Sequence, residues 1–90
     1  MTAPADWLVY IILGTDLSLY TGISNDLEKR LDLHRTGKGA KYFWGRDPLA
    51  VVYLETGHTR SSSSKREAQI KKLTRQEKLC LASSEKNELR

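Results

Sequence analysis

From Trp7 to Leu13 every position is aromatic or aliphatic, and β-branched side chains are frequent. A run that short and that apolar predicts a buried strand. Gly14-Thr15-Asp16 interrupts it with turn chemistry. Polarity then alternates from Leu17 to Gly22: Leu17, Leu19 and Thr21 lie on one side, and Ser18, Tyr20 and Gly22 on the other, which is the period of a second strand. The two strands predict a hairpin. Closing a three-residue loop with Leu13 opposite Leu17 sets Tyr10 directly across from Tyr20, so that both phenols project from one face. A slip of one residue would send them to opposite faces. Two tyrosines on a sheet are also ordinary core-filling residues.

Ser24-Asn25-Asp26 supplies helix-capping oxygens, and Asn25 with Glu28 has the spacing of a capping box, so a helix is predicted from Asp26 to the Gly37/Gly39 region. Leu27, Leu31 and His34 form its apolar stripe, with Arg30 and His34 neighbours at its margin. Lys41 to Arg46 reads as a short helix or a loop carrying three aromatics, ended by Asp47-Pro48. Leu49 to Glu55 is a third apolar strand, and Gly57-His58 a connection. The hydroxyls before Lys65 predict a helix over about 62–73, and Thr74-Arg-Gln-Glu77 is a capping box for another from Arg75. The expected order is β-β-α-(α)-β-α-α: an α+β fold in which helices pack on a small three-stranded antiparallel sheet. Residues 1–6 form an expected flexible lead-in, 7–82 the domain, and 83–90 a polar tail.

Ninety residues leave room for one core, and the single cysteine, Cys80, supports neither a disulfide framework nor a thiolate metal site. No signal-like or membrane-spanning segment is evident, which predicts a soluble cytoplasmic protein without membrane partners. The net charge of +4 is unevenly distributed, because residues 1–28 contain no Lys or Arg. Six basic residues between Lys29 and Arg46 face one acid, Asp32, and seven between Arg60 and Lys78 face two, Glu67 and Glu77. With Tyr42, Phe43 and Trp44 inside the first block, this pattern suits a polyanion with stackable bases. Solvated helix faces would look the same.

These residues also resemble a known family, the GIY-YIG nucleases, in particular their small stand-alone bacterial members. Leu8-Val9-Tyr10 stands where that family has Gly-Ile-Tyr, and Tyr20-Thr21-Gly22 where it has Tyr-Ile-Gly. The likeness continues through the Asp26–His34 helix, the Gly37–Lys41 segment, the third strand and Arg66-Glu67. The ordered set carries it rather than any one tripeptide. Two positions depart from the pattern: Leu8 replaces the first glycine, and Ile23 stands where the excision-repair branch often has lysine. No match is evident for the late asparagine of some homing members.

The resemblance implies an endonuclease that hydrolyses DNA, with RNA as the alternative polymer, using Mg2+ or Mn2+. Branched, nicked or single-stranded DNA in repair or recombination is the implied substrate, reached with weak sequence preference or through a recruiting protein partner. By resemblance Glu67 holds the metal, Arg30 contacts the scissile phosphate, Tyr10 positions or deprotonates the attacking water, and Tyr20 and His34 assist. A phenol titrates near ~10, so a base role for Tyr10 requires a cation that lowers its pKa. Lys29, Arg35, Lys38, Lys41, Tyr42, Arg46, Lys65 and Arg66 are the expected nucleic-acid contacts. Each role has a plainer counterpart: Glu67 could complete a capping box with Ser64, and His34 could be a core residue. A non-catalytic nucleic-acid-binding module and a protein-interaction adaptor remain as alternatives for the whole chain.

Overall fold

The computed structural model describes residues 5–35 and 48–89, with the side chains of residues 34, 35, 48 and 49 outside that description. The elements run β1 (Trp7–Gly14), β2 (Leu19–Ser24), α1 (Leu27–Arg35), β3 (Pro48–His58), α2 (Arg60–Lys71) and α3 (Arg75–Ala82). The strands form one antiparallel sheet in the order β2-β1-β3. The predicted helix or loop over 41–46 lies outside the described residues. Among the described residues no helix is long and apolar enough to cross a membrane.

Helices cover both faces of the central strand β1, which explains its unbroken apolar run. Val9 and Ile11 join Tyr53 and Ile70 in one fully buried cluster, backed by Leu73 and Leu81 beyond α2. On the other face Tyr10 and Ile12 are buried against Leu27 and Leu31 of α1, with Leu8, Tyr20, Val51 and Leu54 around them. At ~1.5–3 kcal/mol for each fully buried large apolar side chain, β1 is the main anchor of the fold.

The hairpin forms, but its register differs from the expected one by two residues: Tyr10 faces Gly22 and Ile12 faces Tyr20. The loop is Thr15-Asp16-Leu17, closed by Gly14 N–H to Ser18 O at 2.9 Å and Leu17 N–H to Gly14 O at 2.8 Å. Asp16 Oδ1 accepts from Ser18 N–H at 3.1 Å, and this side-chain turn carries Leu17 to a φ of 67°. A two-residue shift preserves the face of every side chain, so the two tyrosines still share one.

Helix starts differ in detail. The first turn of α1 is held by Asp26 rather than Asn25, because Asp26 Oδ1 accepts from Lys29 N–H at 3.2 Å while Ser24 Oγ accepts from Asp26 N–H at 2.8 Å. Thr59 caps α2 with Ser62 as its reciprocal partner, so the helix begins two residues before the predicted position. Glu67 therefore lies well inside α2 and is not a capping residue. The Thr74–Glu77 box of α3 forms as predicted. Strand β3 runs on to His58, past a bulge in which Gly57 adopts a φ of 77°.

The stretch after α3 is ordered against β3. Asn87 accepts from Leu54 N–H at 3.1 Å and donates to Val52 O at 3.0 Å and Ala82 O at 2.8 Å. Glu88 N–H donates to Leu54 O at 2.9 Å, and its carboxylate accepts from Thr56 N–H at 2.8 Å. This segment occupies the outer edge of the sheet.

Candidate active site

Tyr10 leaves the centre of the sheet on the α1 face, and its ring lies across Gly22 of the edge strand β2. A β-carbon at Gly22 would stand 2.6 Å from Tyr10 Oη and 2.7 Å from Cζ, so only glycine admits the ring there. Tyr20, half-buried on the same face, lies diagonally beside it, with ring centroids 6.4 Å apart and planes at 46°. One residue before the inward-facing Leu31, the exposed Arg30 sets its guanidinium near enough to the Tyr10 phenol to act on its titration. Glu67, one helical turn before the buried Ile70 on α2, is close enough for its charge to act on both tyrosines. These four residues are brought together. His34 lies on α1, but its side chain is outside the described residues, as are the side chain of Arg35 and all of Lys38, Lys41, Tyr42 and Arg46.

The Tyr10 phenol does not meet the condition for a base role. Tyr10 is fully buried, since Ile12, Leu27 and Leu31 close around it. Its pKa is pushed up to about 12 rather than lowered: burial dominates, the neighbouring Tyr20 and Glu67 add to it, and Arg30 only partly offsets them. Burial raises the Tyr20 phenol too, against the opposing charge of Arg30. In the protein alone, Tyr10 at neutral pH is an uncharged phenol that both donates and accepts hydrogen bonds.

The side chain of Glu67 is 23 % exposed, and its carboxylate pairs loosely with the exposed Lys71 at 3.7 Å. Among the described residues no three His, Cys, Asp or Glu side chains converge to enclose an ion. One accessible carboxylate fits a hard cation that keeps several waters and takes further oxygens from a phosphate, as Mg2+ does. Lys29 and Lys65 are exposed. Arg66 is placed differently from the expectation: its Nε donates to both oxygens of Glu55, at 3.2 and 3.1 Å, and its Nη1 to Gln69 at 3.2 Å, so its charge is committed within the fold.

Arg66 belongs to a second polar cluster, on the α2 face, that the sequence reading did not single out. Glu55 also accepts from Tyr53 Oη at 2.5 Å and bonds His58 Nε2 at 2.6 Å, and His58 Nδ1 meets Ser62 Oγ at 2.9 Å. Burial pushes the Tyr53 phenol up to about 12, helped by its bond to Glu55. Burial alone would raise Glu55, yet the bonds from Tyr53, His58 and Arg66 more than reverse it and hold the carboxyl below its usual range. With Ser62 occupied in the α2 cap, the cluster ties β3 to α2. The alternation of Tyr53 and Glu55 along an apolar strand was the available signal.

The chain is similar to known proteins along most of its length. The chain is 51 % identical over 76 residues to a UPF0213 protein of Clostridium perfringens, covering 84 % of this chain and 82 % of that one. It is 47 % identical over 74 residues to a UPF0213 protein of Haloquadratum walsbyi, covering 82 % and 83 %. The solution NMR structure of a UPF0213 protein from Bacillus halodurans superimposes with a TM-score of 0.57 at 34 % identity, covering 91 % of this chain and 87 % of that one. The GIY-YIG catalytic-domain model matches residues 6–79, and with Tyr10 and Tyr20 adjacent on its hairpin the chain belongs to the GIY-YIG nuclease family.

Proposed function

We propose that the protein is a metal-dependent DNA endonuclease acting on branched, nicked or single-stranded DNA in repair or recombination, with weak sequence preference or with recruitment by a protein partner. One observation carries the reading: the charges of Arg30 and Glu67 both act on a pair of adjacent phenols, Tyr10 and Tyr20, whose ring centroids are 6.4 Å apart. The Tyr53–Glu55–Arg66 cluster closes on itself through hydrogen bonds, whereas Arg30 is exposed and Glu67 partly so, which suits a phosphodiester site that needs an available cation, hydroxyl donors and a carboxylate for an ion.

In the hydrolysis a water oxygen bonds to phosphorus, one P–O ester bond breaks, and the proton lost by water ends on the leaving oxygen or in solvent. Arg30 pairs the phosphate oxygens with its fork of donors and balances their charge at any working pH. Tyr20 donates to the phosphate from the half-buried rim. Tyr10, buried on its seat at Gly22, acts on the site through Arg30 as a neutral positioning group and does not touch the water directly. Glu67 holds the divalent ion, Mg2+ or Mn2+, which supplies Lewis-acid stabilisation of the phosphate and acidifies water when bound. Lys29 and Lys65 contact flanking phosphates.

The test is incubation of the protein with linear, nicked, branched and single-stranded DNA in Mg2+, Mn2+ or EDTA. Cleavage should require the ion and fall by at least about a hundredfold in Glu67→Ala and in Arg30→Ala, the loss typical of removing one electrostatic element of a reaction centre. Cleavage that survives both substitutions, or proceeds in EDTA, overturns the reading. Tight binding without cleavage under any condition favours a non-catalytic module, for which the complete burial of Tyr10 is the supporting observation.

A further inference from the structure

A cleft of about 240 Å³ is lined by Trp7, Ile23, Asn25, Lys29, Arg30 and Leu33, together with Ser24 and Asp26. Arg30 links this cleft to the tyrosine pair: its charge acts on Tyr10 and Tyr20, and it lines the cleft. Ser24 Oγ and Asp26 Oδ1 accept backbone N–H groups in the first turn of α1, and the side chains of Asn25 and Lys29 are exposed for a ligand. Trp7 is half-buried at the start of β1, and the Arg60 guanidinium lies over its ring, 5.7 Å from the centroid. Trp7 lines the cleft and Arg60 does not, so the indole borders the cleft while the cation lies over its ring.

An indole backed by one cation, with Lys29 and Arg30 opposed only by Asp26, matches a ligand that is both aromatic and anionic. Within a site that handles phosphodiesters, such a ligand is a nucleotide. We propose that this cleft is a subsite for the nucleotide adjoining the scissile phosphate, with its base stacked on Trp7, its sugar-phosphate on Lys29 and Arg30, and its edge hydrogen-bonded by Asn25. This inference rests on the nuclease reading and deepens it. A base inside a duplex has both faces stacked and cannot reach Trp7, so the subsite selects DNA with an unpaired nucleotide next to the cleaved bond: a flap, a gap, a frayed end or a single strand.

The experiment uses full-length protein carrying Trp44→Phe, in which Trp7 is the sole tryptophan. In EDTA, oligothymidylate and a blunt hairpin duplex are titrated while Trp7 fluorescence and the anisotropy of a labelled oligonucleotide are followed. Single-stranded DNA should quench Trp7 as it binds, and the blunt duplex should not. Trp7→Leu, which keeps apolar bulk without an aromatic face, should weaken single-strand binding about tenfold, and Trp7→Phe should restore most of it. Saturated binding with unchanged Trp7 fluorescence, or wild-type affinity in Trp7→Leu, overturns the subsite. If Trp7→Leu fails to fold, the quenching result decides alone. The same oligonucleotides with Mn2+ separate the two readings: cleavage without quenching leaves the nuclease standing and removes the subsite, whereas quenching without cleavage keeps the subsite and removes the nuclease.

Discussion

Gly22 owes its place to Tyr10. The glycine is needed because the phenol occupies the space of a β-carbon, and a fully buried ring has nowhere to retreat. Gly22→Ala should therefore displace Tyr10 from Arg30, cost about 1–3 kcal/mol by overpacking, and depress cleavage along with the unfolding midpoint. An unchanged melting curve with full activity would contradict the seat described here. Thr21 makes the opposite case. It is 2 % exposed, and its Oγ1 has no hydrogen-bond partner among the described residues. Thr21→Val removes an unpaired hydroxyl at constant shape, so it should raise stability by about 1 kcal/mol in denaturant unfolding. A loss of stability would show that the hydroxyl is paired in solution. That the two tyrosines share a face was legible from the period of two along the hairpin, and it survived an error of two in the register. The register itself was not legible, because Leu17 at positive φ is a poor choice by composition and is held there by Asp16.

Elements whose signals are adjacent in sequence were read well, and those completed from afar were not. The α3 cap needs only Thr74 and Glu77, three residues apart, and was found in place. The α2 cap was missed because four consecutive serines, Ser61 to Ser64, hid the one that pairs with Thr59. Residues 83–90 were read as a tail on polarity alone. Asn87 reaches Leu54 and Val52 only once β3 has turned the chain back to meet it. The segment satisfies backbone groups on the outer edge of β3, where bare N–H and C=O groups invite pairing with another chain. Deleting residues 85–90 should cost about 1–3 kcal/mol from the lost hydrogen bonds and increase self-association at high concentration, read by light scattering. Asn87→Ala should do part of the same. A truncated chain that is as stable and as monodisperse as the whole would show the edge to be protected by other means.

Each face of the sheet carries one buried phenol, Tyr10 toward α1 and Tyr53 toward α2, and burial pushes both up to about 12. The unfolded chain ionises its phenols near ~10, so between about pH 10 and 12 it releases protons that the folded chain retains. Stability from these groups is complete below the unfolded value and drains away as pH rises through the folded one. Glu55 has the opposite sign: its lowered pKa contributes stability above the ordinary carboxylate range, lost as pH falls through its folded value. The molecule should hold a stability plateau across neutral pH and fail on its alkaline side through both cores together. Thermal unfolding followed by circular dichroism should show a midpoint that falls steeply above about pH 10, with tyrosinate absorbance rising in the same transition rather than before it. Tyr10→Phe and Tyr53→Phe should each flatten the alkaline limb, and Tyr53→Phe should also shift the acid limb, because it removes a hydrogen bond that depresses Glu55. Phenols that titrate near the ordinary value while the helices stay intact would mean that Tyr10 is open to solvent, and that Arg30 holds it as a reactive group rather than a buried one.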